Sequence, residues 1–362
     1  MSFMESVGFA LVRSMSPEEA HRLTIRGLKY GLVKPNLTSD PVTLATRLPI
    51  SGLVLKNPVG LAAGFDKNAE VFGPMLGYGF GFVECGTVTP RPQAGNPKPR
   101  LFRLTEDEAV INRMGFNNDG LGLVVRRLVK GREDPIAVSG VVGANVGANK
   151  TSEGDARIAD YVAGVRGVWP YCSYITINIS SPNTPGLRGL QEKGALEDLL
   201  GAVADAARDI RKPDAPIKPI FLKIAPDMDE VAVADIVDVV LAAGQITGLI
   251  VSNTTIERFD TLTSPQKQET GGLSGKPLFE KSTMVLKQAA LAAAGRLDII
   301  GAGGVHDADT AYAKIRAGAH AVQLYSALVY GGPGLVREIK AGLTERLRRD
   351  GFKSVSDAVG VA

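Results

Sequence analysis

The 362-residue sequence is poor in the groups on which much enzyme chemistry depends: it holds two cysteines, three histidines and one tryptophan. Cys85 and Cys172 make neither a disulfide framework nor a metal knuckle, and both lie beside strand-like sequence, where core packing in a reducing compartment accounts for them. His21, His306 and His320 are too scattered to suggest a metal cluster and read as surface or packing residues, as does Trp169. A dominant charge is also missing. Against 41 Lys and Arg stand 38 Asp and Glu, a net charge of +3, so no uniform field demands a nucleic-acid partner. No uninterrupted run of about 18 apolar residues is present, which excludes a spanning helix, and the start lacks the zones of a secretory signal. Internal repeats and low-complexity tracts are absent as well. What is there is a chain of 44% hydrophobic residues, long enough to bury a large core.

The first forty residues differ from the rest and form an N-terminal helical domain (1–40) ahead of a larger one (41–362). Phe3, Val7, Ala10 and Leu11 fall near helical spacing. "SPEEAHRLTIRGLKYG" then gives Ser16 as N-cap, Pro17 at the first helical position, Glu19 closing a capping box and Gly31 as the stop. Ala20, Leu23, Gly27 and Leu28 share one face of this second helix, and Arg22, Arg26 and Lys29 another. Such a pair of helices suits an anionic membrane surface, or equally a cap packed on the main domain.

Beyond residue 50, eight buried-strand candidates alternate with helix-sized segments: 54–64, 79–89, 141–147, 174–180, 220–226, 248–254, 298–305 and 321–329. Eight such units predict an α/β fold, a (β/α)8 TIM barrel, with a doubly wound open sheet as the alternative. Two connections are long. "PRLFRLTEDEAVINRMGFNN" predicts a hairpin turned at "TEDE", and residues 257–278, polar and glycine-rich, read as a functional loop.

On a barrel the site is built at the C-terminal strand ends, here Lys67, Thr87, Asn145, Asn178, Lys223, Ser252, Asn253, Gly304 and Tyr325. The set is mostly neutral. Without paired carboxylates or clustered histidines, paired-acid hydrolysis and His-ligated metal chemistry lose their instruments, and no metal is expected. Gly303, Gly304, Tyr325 and Ser326 follow strands seven and eight, the habitual phosphate site of this fold, although glycine there also serves tight packing. Lys67 and Lys223 are either solvated or aimed into one cleft, where they would hold negative charge. Asn112, Asn178, Asn183 and Asn253 would face the same mouth, offering donor and acceptor together to a cyclic imide or ureide edge. Ser181 sits among them in "SPNTPG", a segment that also suits a plain turn. As a base, a serine hydroxyl fits only a carbon acidified by an adjacent carbonyl.

Assembled, these pieces resemble the dihydroorotate dehydrogenases of the quinone-linked, membrane-associated class. The resemblance rests on "GLAAGFDKNAE", "FVECGTVTPRPQAGNPKPRLFRL", "INRMGFNNDG", "NISSPNTPGLR", "VSNTT", "GGLSGKPL", "GAGGV" and "QLYSALVY", in family order from residue 57 to 331. "SPEEAHRLTIRGLK" resembles that class's extra helical domain. The resemblance implies oxidation of dihydroorotate to orotate in pyrimidine synthesis, with FMN in the barrel mouth and a membrane quinone as the final acceptor. FMN would meet Ala63, Gly64, Phe65, Asp66, Lys67, Thr87, Asn145, Asn178, Lys223, Ser252, Gly275, Gly304, Tyr325 and Ser326. Substrate would meet Lys67, Asn112, Arg113, Met114, Gly115, Phe116, Asn178, Asn183, Asn253 and Thr254. Ser181 takes the role of base, where the soluble class carries Cys, and Thr184 with a water would pass the proton outward. The same resemblance implies a monomer lying on the cytoplasmic face of a bacterial inner membrane through its N-terminal helices. A family member using fumarate or NAD, a flavin-free phosphosugar isomerase or aldolase, and a non-catalytic membrane-surface module are the competing readings.

Overall fold

Parallel strands buried on both faces need near-continuous apolar sequence, and the Val- and Ile-rich segments supply it. The computed structural model describes residues 13–32, 39–215 and 217–361. Thirteen strands occur among them. A short antiparallel pair, β1 (Thr46–Arg47) and β2 (Val54–Leu55), precedes the barrel strands β3 (Val59–Leu61) and β4 (Phe82–Val88). Strands β5 (Leu101–Leu104) and β6 (Ala109–Asn112) form the hairpin expected around "TEDE". Then come β7 (Val141–Val146), β8 (Tyr174–Asn178), β9 (Ile220–Ile224), β10 (Gly248–Val251), β11 (Gly272–Gly275), β12 (Asp298–Ala302) and β13 (Ala321–Leu324).

The barrel is closed and parallel in the order β3, β4, β7, β8, β9, β10, β12, β13, with β13 returning to β3 in the register Val322 to Val59. Closure excludes the open sheet. Each barrel strand falls inside one of the eight predicted segments, but the first is shorter than predicted: Lys56, Asn57 and Pro58 separate β2 from β3, and β2 joins β1 instead. Strand β11 was not expected. It pairs with β6, so part of the loop after the sixth barrel strand completes a three-stranded sheet over the mouth.

The lower barrel is filled by Phe82, Tyr174, Phe221, Ile250 and Ile300, closed below by Leu48 and Leu55. Small residues make room for the rings. A Cβ on Gly60 would stand 2.2 Å from the Phe82 ring, and one on Gly143 would stand 2.1 Å from that of Tyr174. Both cysteines are buried, and Trp169 packs against the core.

Helix α1 (Pro17–Lys29) lies across the mouth. Its capping box is not formed: the Ser16 hydroxyl donates to the Glu19 carboxylate rather than accepting from the backbone. Gly31, at φ +69°, ends it in the left-handed conformation, where Leu32 N–H reaches Gly27 O at 2.9 Å. Ion pairs from Glu18 to Arg100 (2.9 Å) and from Lys29 to Glu70 (2.8 Å) hold α1 to the barrel loops. The earlier helix expected around Phe3, Val7, Ala10 and Leu11 lies outside the described residues. Among the described residues no helix is long and apolar enough to cross a membrane.

Candidate active site

At the C-terminal end of the barrel a cavity of about 1070 Å³ runs from Lys223 and Gln323, deep among the strands, to the underside of α1. Its base is set by a carboxylate. Glu84, fully buried on β4, accepts hydrogen bonds from Asn145 (2.8 Å), Tyr174 (3.0 Å), Thr176 (3.0 Å) and Gln323 (2.9 Å), so four strands meet on one side chain. From there the network climbs. Thr87 donates to Asn145 Oδ1 at 2.6 Å, and Asn178 Nδ2 donates to Thr87 at 2.9 Å. Asn253 Nδ2 lies 2.9 Å from the Ser180 hydroxyl, which donates to Asn178 Oδ1 at 2.9 Å. Every amide on this wall therefore has a fixed rotamer, which is the preorganisation that recognition of a polar ring requires.

The segment after β8 carries Ser181, which is buried and accepts Asn183 N–H at 3.2 Å. Asn183 Nδ2 in turn donates to Asn112 O at 3.1 Å, joining this segment to the hairpin. Arg188 fastens it from behind, bonding Ser180 O (3.2 Å), Thr254 O (2.9 Å) and the Asp227 carboxylate (2.8 Å). The hydroxyls of Thr184 and Thr254 are buried without a hydrogen-bond partner. Thr254 lines the cavity, where a ligand or water would complete its hydroxyl.

Two lysines reach the cavity. Lys223 is buried at the end of β9, and its ammonium pairs with no described residue; burial lowers its pKa, with Glu84 opposing. Lys67 donates to Asn117 Oδ1 at 2.8 Å. Burial, assisted by the Arg100 charge and opposed by Glu18, lowers its pKa to about 8. Across the cavity, Gly303, Gly304, Tyr325 and Ser326 form a cradle. The N–H groups of Gly304, Tyr325 and Ser326 donate to no oxygen of a described residue. Three free donors, one of them on the glycine-rich turn after β12 and two on the turn after β13, suit an anion.

The outer part of the cavity is of another kind. Pro17, Ala20, Leu23 and Leu28 of α1 face Phe65, Leu101, Val110, Leu328 and Val329. His21 is the polar group at the junction: its ring packs edge-on to Phe65 at 5.4 Å, and its Nδ1 lies 3.2 Å from Tyr325 OH. Burial, helped by the Lys67 charge, pulls its pKa down to about 4, so it is neutral at physiological pH.

The structure brings nearly all of the expected residues to one cavity: Ala63, Gly64, Phe65, Lys67, Thr87, Asn112, Met114, Gly115, Phe116, Asn178, Ser181, Asn183, Lys223, Ser252, Asn253, Thr254, Gly275, Gly304, Tyr325 and Ser326. Three expected residues lie off its lining. Arg113 turns outward to Glu269 at 2.7 Å, its guanidinium 4.5 Å from the centroid of the Phe102 ring. The Asp66 carboxylate is spent on Glu70 N–H and Val71 N–H, both at 2.8 Å. Asn145 sits one layer down, between Thr87 and Glu84. Sequence reasoning missed Glu84, Arg188 and the place of His21. Only a buried acid inside the apolar run "GFGFVECG" signalled the first.

The dihydroorotate dehydrogenase family model matches residues 44–347. The chain belongs to the dihydroorotate dehydrogenase family. Among curated relatives, a dihydroorotate dehydrogenase (quinone) from Xanthobacter autotrophicus is 55% identical over 97% of each chain. One of the same name from Parvibaculum lavamentivorans is 52% identical over 97% of this chain and 96% of its own. Among solved structures, a DHODH from Eimeria tenella in complex with ferulenol superposes with a TM-score of 0.90 at 41% identity, covering 96% of this chain and 95% of its own. The ligand-free form of the Eimeria enzyme gives the same TM-score and identity and covers 96% of this chain and 99% of its own. Among the described residues no group of three or more His, Cys, Asp and Glu is placed to hold a metal ion.

Proposed function

We propose that the protein oxidises (S)-dihydroorotate to orotate in de novo pyrimidine synthesis (EC 1.3.5.2), with FMN as hydride acceptor and a membrane quinone as final electron acceptor. One observation carries this reading: a neutral wall of fixed amides around Ser181 shares its cavity with a partnerless buried lysine, an anion cradle and an apolar outlet. The residues fit FMN on the structure's own terms. Gly304, Tyr325 and Ser326 have free N–H donors for the phosphate, and Lys223 brings an ammonium for the negative edge of the reduced ring. When bound, FMN supplies the acceptor for the hydride that leaves C6 of the substrate and hands both electrons on to quinone.

The chain's own groups do the rest. Asn112, Asn178, Asn183 and Asn253 bind the ring's imide and ureide edges, and Lys67 with the backbone at Met114 and Gly115 receives the carboxylate. Phe116 and Thr254 close the substrate pocket, and Ala63, Gly64, Thr87, Ser252 and Gly275 line the cofactor's part. The carbonyl beside C5 acidifies its proton, so the Ser181 hydroxyl serves as base if its own proton can leave. The Thr184 hydroxyl, buried without a partner, would pass it on through a water. Loss of the C5 proton and the C6 hydride leaves the C5–C6 double bond of orotate. Glu84, through Asn145 and Thr87, orients Asn178.

Quinone reaches the site beneath α1, along the apolar stretch that ends at His21 and Tyr325. The protein rests as a monomer on the cytoplasmic face of a bacterial inner membrane, with its first forty residues as the contact and no nucleic acid involved. Purified protein given dihydroorotate and a short-chain ubiquinone in detergent micelles is expected to form orotate, and fumarate or NAD is expected not to replace the quinone. Turnover with fumarate or NAD alone would remove the quinone from the reading. No orotate with any acceptor would remove the substrate.

A further inference from the structure

Behind the anion cradle, on the side away from the cavity, lies a lysine that the mechanism leaves unused. Lys314, on the helix Ala308–Arg316, is wholly buried. Its ammonium donates to the Ser282 hydroxyl at 2.8 Å and to that of Thr283 at 3.0 Å, and lies 5.5 Å from the centroid of the Phe279 ring. No carboxylate of a described residue pairs with it. A buried ammonium without a counter-ion is costly, and a negative charge within reach would offset that cost.

The hydrogen bonds run toward one. An ammonium can only donate, so the Ser282 oxygen accepts from Lys314, and its one proton is shared between Gly303 O at 2.9 Å and Phe279 O, in its own helix, at 3.0 Å. The Gly303 carbonyl and the Gly304 N–H belong to one trans peptide unit and point in opposite directions. Holding the carbonyl from behind therefore turns the Gly304 N–H toward the cavity, where it donates to no described residue. The loop has no slack. A Cβ on Gly304 would stand 2.3 Å from Phe279 Cα, at a φ of +75°. Hydrogen bonds in such a chain polarise one another, so the ammonium strengthens the donor that the peptide presents.

We propose that Lys314 and Ser282 are a positioning pair for the cofactor phosphate, holding and polarising the Gly303–Gly304 peptide so that its N–H meets the anion. This rests on the flavin reading above. Burial pulls the Lys314 pKa down to about 7, opposed by Glu280 on the neighbouring helix. A phosphate dianion on the far side of the loop raises it again, so FMN binds with proton uptake. The affinity this contributes is full below the pKa of the flavin-free chain and is lost as pH rises through that of the complex. The other ionisable groups around the loop are committed elsewhere: His306 Nδ1 donates to Gly304 O at 2.6 Å and its ring lies 3.5 Å from Asp307, and Arg346 pairs with Asp309 at 2.6 Å.

The test is binding of FMN and of riboflavin, which lacks the phosphate, to flavin-stripped full-length protein. Fluorescence quenching is read between pH 7 and 9, where the free phosphate, with a second pKa of about 6, is already dianionic. Wild-type affinity for FMN is expected to fall about tenfold over this range while that for riboflavin stays constant. Lys314→Met is expected to weaken FMN about tenfold at pH 7, remove the slope and leave riboflavin unchanged. Ser282→Ala, which keeps the ammonium, is expected to weaken FMN less and keep the slope, as is His306→Asn. An unchanged FMN-to-riboflavin ratio and slope in Lys314→Met would overturn the proposal, and so would a slope lost in His306→Asn instead. Should Lys314→Met fail to fold, a flat wild-type profile or an unaltered Ser282→Ala overturns it equally. A wild-type chain that binds riboflavin and FMN alike contradicts the phosphate relay alone, whereas one that binds neither contradicts the flavin reading itself.

Discussion

The inner and outer halves of the cavity are built on opposite principles. In the inner half the amides are held by other polar groups: Glu84 fixes Asn145, Asn145 receives Thr87, Thr87 receives Asn178, and Arg188 ties Ser180 to Thr254. In the outer half the wall is a generic apolar surface from α1, with a neutral His21 at its inner edge. A fixed polar wall selects one small ring by geometry. An apolar outlet asks only that its guest be hydrophobic and narrow. The two halves should therefore fail separately when altered.

The largest effect is expected in the inner half. Ser181→Ala should keep the flavin bound and slow its reduction by dihydroorotate at least about tenfold, measured by stopped-flow absorbance, because the base is gone. Next comes removal of the outer half. Asp40 belongs with the barrel, since its carboxylate takes Lys340 at 2.5 Å and Asn57 at 2.6 Å, so the cut is best made before residue 39. A chain starting there is expected to lose about tenfold in quinone turnover while anaerobic flavin reduction stays within about twofold. Equal loss of both would make α1 a structural cap.

A smaller effect sharpens the inner half. In the proposed site Lys67 would bind the substrate carboxylate in its ammonium form, and burial holds its pKa at about 8 in the free enzyme. The sign follows: affinity for dihydroorotate is full below that value and declines as pH rises through the somewhat higher value of the complex, so KM should climb above about pH 8. Lys67→Met should flatten that climb. The smallest effect on either half-reaction is expected from Asp40→Ala. It leaves Lys340 buried and unpaired, which should cost about 3 kcal/mol in chemical denaturation with both half-reactions intact.

The barrel was legible because its strands are buried on both faces and read as mainly apolar segments alternating with helix-sized ones. Where a strand carried no such run the sequence was mute: β11, "GLSG", has a single large apolar residue and takes its place only because β6 offers an open edge. The site was legible as a set of strand ends, which the topology brings to one mouth. Arg113 shows the limit, since nothing local tells whether an arginine faces the cavity or the Phe102 ring. Nor does spacing reveal that Glu84 anchors the amides or that Lys314 stands behind the cradle. Both depend on contacts between segments far apart in the chain.

The measurement that bears most directly on the whole account is the visible spectrum of the purified protein, recorded anaerobically before and after dihydroorotate, beside Ser181→Ala. The account expects a yellow flavin band that bleaches promptly in the wild-type protein and slowly in the variant. A band that persists in both would leave the flavin in place and remove the substrate. Equally fast bleaching in both would remove Ser181 from the proton transfer, and an active but colourless protein would contradict the flavin reading altogether.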